Sequence, residues 1–202
     1  MLNSSRIINT PQKLIIAIDG PVGAGKSTVA QTLAEKLEYV HLSAGSLYRT
    51  ITLLALKNKI PPSDIKALSD LAKNCVIEIK DEGRVIIADG KDISNELRSP
   101  EINNLVPEIA KIPEVRDEIK KKEHEIGSKG GVVAEGRDKT TVVFPKADLK
   151  FYIDASIDVR SKRRYDELRE RGIECSLEEI KKDIAERDHK DKSREFSPLK
   201  KA

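Results

Sequence analysis

The sequence predicts an α/β protein: a doubly wound parallel sheet with helices on both faces. Two observations carry that prediction. Continuous apolar runs, LIIAI at 14–18, GVVAEG at 131–136 and LKFYIDA at 149–155, have the composition of strands buried on both faces. Long stretches with helical spacing lie between them, and strands alternating with helices need crossover connections to parallel neighbours.

The elements follow in order. After LIIAI, KSTVAQTLAEKLE reads as a helix with Val29, Leu33 and Leu37 on one face, and YVHL at 39–42 returns to strand character. A second helix, LYRTITLLALKNK, ends before Pro61 and Pro62, and Ser63 is placed to cap the next, DIKALSDLAK. The period then changes: CVIEIK and RVIIADG alternate around DEG, the pattern of a β-hairpin. SPEINNL has Ser99 as cap and Pro100 at the first helical position, and Pro113 repeats that logic in IPEVRDEIKKKEHEI. SIDVRSKRRYDELRERG stops at Gly172, and CSLEEIKKDIAERDHKDKSREF opens with a capping box, Ser176 to Glu179. These elements divide the chain into a core of 13–62 and 128–202, with a helical lid at about 156–175, and a β-containing insert at 63–127.

Composition narrows the function. The 202 residues carry 37 Lys and Arg against 34 Asp and Glu, a net charge of +3, too small a surplus to argue for a nucleic-acid partner. Cys75 and Cys175 stand far apart with no Cys or His grouping, which points to reduced thiols in a cytoplasmic protein. Apolar runs fall short of the ~18 residues of a membrane span, and MLNSSRIINTPQK lacks the apolar centre of a secretory signal. A monomer is the default expectation.

Chemistry enters at DGPVGAGKST. Gly20, Gly25, Lys26 and Ser27 satisfy G-x-x-x-x-G-K-[ST], and the motif lies between a strand and a helix as its mechanism requires. Backbone N–H groups of such a loop turn inward on a phosphate chain, Lys26 reaches the β and γ phosphates, and the Ser27 hydroxyl suits Mg²⁺. The fold is therefore expected to be of the P-loop NTPase type. A base-reading N-K-x-D is lacking, because the Asn-Lys pair at 58–59 continues as Ile-Pro.

Arginines suggest a second anion. Arg160, Arg163 and Arg164 crowd one predicted helix: either a solvated face paired with Asp158, Glu167 and Glu170, or a group that neutralises a transferring phosphoryl. Arg187, Asp191 and Arg194 are spaced four and three apart, which suits an ion-pair ladder or a polar ligand equally. Arg137 and Asp138, in EGRD, stand at the carboxyl end of a core strand, where doubly wound sheets bind ligands.

IDGPVGAGKST, AGSLYR, GKDISNELR, IPEVR, EGRDKTTVVFP, DVRSKRRYDEL and AERDHKDKSR come in the order and at the spacing of the bacterial cytidylate kinases, which the chain resembles from about Leu14 to Leu199. The resemblance implies a kinase that uses ATP and Mg²⁺ to phosphorylate CMP or dCMP, with the insert as the monophosphate-binding lobe. It implies that Gly20, Pro21, Val22, Gly23, Ala24, Gly25, Lys26, Ser27 and Thr28 cradle ATP, with Ser27 on the metal. Arg160, Arg163 and Arg164 would belong to the lid, Arg164 acting in catalysis with Lys26 and Arg137. Arg49, Arg116 and Arg137 would bind the CMP phosphate, with Ala44 beside them. Asp138 and Arg194 would read the base, and Arg187 and Asp191 would hold ribose hydroxyls and the reacting phosphates.

Several positions depart from the family pattern. Ala44 and Pro107 replace hydroxyl residues, Glu135 stands where aspartate is usual, and Lys139 and Thr140 replace an apolar residue and a glycine. Family members continue past SPL into another strand and helix, so a four-stranded parallel core with one bare edge is expected. Kinases of another small acceptor, and a nucleotide-binding protein with little turnover, remain alternatives.

Overall fold

The computed structural model describes residues 13–170 and 172–202. The reading of the amino terminus and position 171 of the predicted sixth helix fall outside them. Strand β1, Ile15–Asp19, lies centrally between β6, Val132–Gly136, and β7, Leu149–Tyr152, while β2, Val40–Ser43, pairs with the other side of β6. All three pairings are parallel.

Strand alternation sorts the core into two layers. Ile16, Ile18 and Val133 face Ala30 and Ala34 of α1, Lys26–Leu37. Ala17, Val132, Ala134 and Leu42 face the opposite way, into a larger cluster with Leu47 and Ile51 of α2, Ala44–Lys57. The expected apolar face of α1 is corrected in part: Leu33 packs against the core, but Val29 and Leu37 are 47 % and 41 % exposed, and the buried contacts with the sheet are made by Ala30 and Ala34. Small side chains let helix and strand backbones approach closely, so the bulky residues turn toward the rim.

The insert shares the large cluster. Its helices are α3, Ile65–Asn74, α4, Pro100–Ile109, and α5, Pro113–Gly127, and Leu68, Ile102, Ile109 and Ile119 join Leu47 and Ile51 in one continuous core. Asp64 caps α3, its side chain accepting from the Ala67 amide at 3.0 Å, where Ser63 was expected. Ser99 caps α4 as expected, accepting from Ile102, but α4 runs on through Pro107 on its exposed side. The hairpin forms from β3, Ile77–Lys80, and β4, Val85–Ala88, with a short third strand β5, Lys91–Asp92, that the sequence reading did not contain. Its turn docks on the core: Gln31 donates to the Glu82 carbonyl at 3.1 Å, and Arg84 pairs with Glu35 of α1.

At the other edge, β7 is corrected from a core strand to an edge strand, with Leu149 and Phe151 44 % and 47 % exposed. An apolar run announces a strand but not its place in the sheet order. Two helices complete the described chain, α6 at Ile157–Glu170 and α7 at Leu177–Ser193, packed on each other. Ser176 caps α7 by accepting from Glu179. Among the described residues no helix is long and apolar enough to cross a membrane.

Candidate active site

The glycine-rich loop turns where β1 hands over to α1. A Cβ on Gly20, at φ 154°, would fall 1.9 Å from the Ile153 carbonyl oxygen, so the loop can close against the strand-end only with glycine there. Lys26, first residue of α1, is buried and donates to the Pro21 carbonyl at 2.8 Å. Burial lowers its pKa to about 7, with repulsion from Arg137 next in size. Arg160 and Arg163 of α6 hold the loop from above, reaching the carbonyls of Val22 at 3.0 Å and Ala24 at 3.5 Å. Thr28 is exposed on α1.

Ser27 Oγ donates to Glu135 Oε1 at 3.0 Å, and Ser43 Oγ donates to the same oxygen at 2.7 Å. Burial pushes the Glu135 pKa up, but Lys26 and the Ser43 hydroxyl outweigh it and hold the carboxyl below its ordinary value. Glu135 is a candidate that the sequence reading left out of the site. A carboxylate inside an apolar strand needs partners, and that was its legible signal. Ser43, commited to Glu135, is the hydroxyl nearest in sequence to the buried Ala44.

Beside the loop, arginines converge from α2, α6, α7 and the turns that hold Arg98 and Arg137. Burial lowers the Arg49 pKa, with Arg98, Arg137 and Arg164 contributing further; burial lowers that of Arg187, and Arg137, Arg49 and Arg164 act the same way. A Cβ on Gly45 would lie 2.8 Å from Arg49 Nη1, so the glycine leaves room for that guanidinium to cross α2. Arg137 donates to Asp191 at 2.6 Å, and Asp191 is 3.9 Å from Arg194. The three α7-region residues do come together, although Arg194 is the residue capping α7 rather than part of it. Their ladder runs across elements, to Arg137. Arg98, at the end of GKDISNELR, was not assigned a role from the sequence.

The remaining candidate arginines differ in their surroundings. Arg160 is 6 % exposed and fully engaged, with Asp188 at 2.7 Å and the carbonyls of Ala155 and Val22, so it braces the loop; Arg164 instead is half-exposed and pairs with Glu167. Arg116 donates to Asp138 and to the Ala110 carbonyl, with its guanidinium over the Tyr48 ring. Tyr48, Arg116 and Asp138 border a cavity of about 120 Å³ that is also lined by Glu123, Val143, Phe196 and Ser197. The turn after β6, a π-helical stretch at Lys139–Val143, is anchored by Asp19, which accepts from the amides of Lys139 and Thr140 and from the Thr140 hydroxyl. Among the described residues no group of three His, Cys, Asp or Glu could hold a metal.

A sequence model of the family described as "Cytidylate kinase" matches residues 16–202. A cytidylate kinase of Geobacillus sp. (strain WCH70) is 44 % identical over 189 residues, 93 % of this chain and 84 % of that one. One from Bacillus velezensis (strain DSM 23117 / BGSC 10A6 / LMG 26770 / FZB42) is 45 % identical over 193 residues, covering 95 % and 86 %. A bifunctional pantoate ligase/cytidylate kinase of Prochlorococcus marinus (strain NATL2A) is 45 % identical over 195 residues, 95 % of this chain and 38 % of the relative. With the phosphate loop, the EGRD turn and the arginine cluster inside the matched span, the chain belongs to the cytidylate kinase family.

Proposed function

We propose that this protein transfers the γ-phosphoryl group of ATP to the 5′-phosphate of CMP or dCMP, giving ADP and the nucleoside diphosphate. The observation that carries the reading is the position of Arg137. It repels Lys26 in the donor loop and Arg187 in the arginine cluster, so donor and acceptor sites meet at one side chain. Guanidiniums that depress one another are poised for a polyanion, which offsets their repulsion.

In the reaction an oxygen of the acceptor phosphate attacks the γ-phosphorus, and the bond to the β–γ bridging oxygen breaks as ADP leaves. The attacking oxygen is already anionic at neutral pH, so a general base is unnecessary. Catalysis is positioning and charge neutralisation. Lys26 and Arg164 face the transferring group, and Arg49 and Arg137 hold the acceptor phosphate. Arg187 and Asp191 hold the reacting phosphates and the ribose hydroxyls, while Asp138, Arg116 and Arg194 occupy the base end. Arg160 and Arg163 keep the loop in shape. Segment 63–127 supplies the acceptor-side lobe, and the lid closes through α6.

Ser27 and Glu135 set two hard oxygen donors side by side, a pair that fits Mg²⁺, which takes few protein ligands and completes its shell from phosphates and water. When bound, the ion would neutralise charge on the β and γ phosphates. A cytosolic location agrees with the free thiols of Cys75 and Cys175.

The test is ADP release from ATP and Mg²⁺ with CMP, dCMP, UMP, AMP or no acceptor. Strong stimulation by CMP and dCMP is expected. ATP binding without stimulation by any acceptor would overturn the reading in favour of a nucleotide-binding protein.

A further inference from the structure

Behind the phosphate-facing arginines, α5 and the turn after β6 share a buried ionic rail that the transfer reaction does not use. Arg116, Asp138, Lys139 and Glu123 alternate in charge, and none of their side chains is more than 10 % exposed. Lys139 Nζ donates to both Glu123 oxygens, at 2.6 and 2.7 Å, and lies 3.2 Å from Asp138 Oδ1. The other Asp138 oxygen accepts from Arg116.

Stability alone is a poor reason for such a pair. A buried ion pair is often matched or exceeded by apolar residues of similar volume. Geometry supplies a better one. An ammonium has three hydrogens, and Glu123 engages two of them. Lys139 is thereby held back from Asp138, at a separation longer than the ~2.8 Å of a full charge-assisted hydrogen bond. Asp138 Oδ1 keeps accepting capacity while a cation stands beside it, and both Asp138 and Glu123 border the 120 Å³ cavity at the base end.

On the kinase reading above, we propose that Lys139 and Glu123 are positioning residues for base selection: together they hold the Asp138 carboxylate as an acceptor for the exocyclic amino group of an aminopyrimidine. A keto oxygen at the same place meets a carboxylate oxygen and is rejected. Burial raises the Asp138 pKa, but Lys139, Arg116 and Arg194 together bring it below its ordinary value. The charged and titratable groups facing Asp138 are Lys139 on its own turn, Arg116 and Glu123 from α5, Tyr48 from α2 and Arg194 beyond α7.

The experiment compares wild type with Lys139→Met/Glu123→Met, which removes both charges at similar volume, and with Glu123→Gln, which frees Lys139 to close on Asp138. Equilibrium binding of CMP and UMP, and kcat/KM for each from pH 5 to 9, are measured with thermal unfolding as the check on folding. The CMP-over-UMP ratio should fall at least tenfold in both variants, through KM for CMP more than kcat, with ATP binding unchanged. In the double variant the acid limb of kcat/KM for CMP should move to higher pH, because Asp138 keeps Arg116 but has lost the Lys139 cation beside it. A folded variant of either kind that keeps the wild-type ratio and acid limb overturns the inference. A wild type that binds CMP and UMP equally overturns it too and leaves the kinase reading standing; a wild type that binds neither overturns both.

Discussion

The Ser27 hydroxyl and the Glu135 carboxylate, 108 positions apart in sequence, meet at 3.0 Å where the phosphate loop becomes α1. Strand register makes the meeting: Ile18 pairs with Glu135 across β1 and β6, so the carboxylate emerges beside the loop that β1 feeds. Glu135→Gln is expected to keep the hydrogen-bonding shape but lose the charge. The rate at saturating ATP and CMP should fall about 10–100-fold, with a larger Mg²⁺ requirement. Glu135→Asp, which keeps the charge on a shorter side chain, should retain most activity. A Mg²⁺ titration of the steady-state rate checks both, and a Gln variant with wild-type Mg²⁺ dependence would remove Glu135 from the metal site.

Arg137→Ala removes the side chain common to both halves of the site. It should cost about a hundredfold or more in kcat/KM for CMP, the scale of losing one transition-state donor. ATP affinity should change little, because the loop amides and Lys26 remain. Separate ATP binding and CMP saturation curves decide the point; an equal loss of ATP affinity assigns Arg137 to the donor.

Lys26 connects pH to ligand binding. Burial favours the neutral amine, so above pH 7 the free enzyme has begun to release that proton, and a triphosphate draws it back. ATP binding near pH 8 should take up close to one proton, about the amount a single restored ammonium allows. Calorimetry in buffers of different ionisation heat measures it, and zero uptake would contradict the lowered pKa. Stability has the corresponding sign. Between pH 7 and the ordinary value of 10.5 the unfolded chain holds a proton the folded chain has released, so the burden of Lys26 on stability is full below that window and fades as pH rises through it.

Arg160 and Arg164, four positions apart on α6, should separate bracing from catalysis. Arg160→Ala leaves Asp188 buried without its cation and should destabilise the fold by about 3–5 kcal/mol. Arg164 is half-exposed, and Arg164→Ala should alter stability by under about 0.5 kcal/mol while lowering kcat. Urea unfolding beside steady-state kinetics reads both. A Arg160→Ala protein of wild-type stability would return Arg160 to the mobile lid.

Much of this was legible in residue order because its causes are local. The phosphate loop needs consecutive glycines between a strand and a helix, and Ser99 with Pro100, or Ser176 with Glu179, mark helix starts through bonds spanning three residues. The hairpin around DEG was legible for the same reason. Less visible was Asp64 taking the capping place of Ser63, a choice between neighbours that backbone direction settles.

Sequence by itself determined the alternation of strands and helices, the phosphate loop, and which arginines were candidates for an anion. Only the tertiary structure decided their division of labour. Burial and neighbouring charge, which depend on packing between distant segments, turned Arg160 into a brace against Asp188, carried Arg116 to Asp138 and Tyr48, and closed Lys139 on Glu123. The same holds for β7: an apolar run specifies a strand through its own side chains, but its place at the edge follows from which partners the rest of the chain brings beside it.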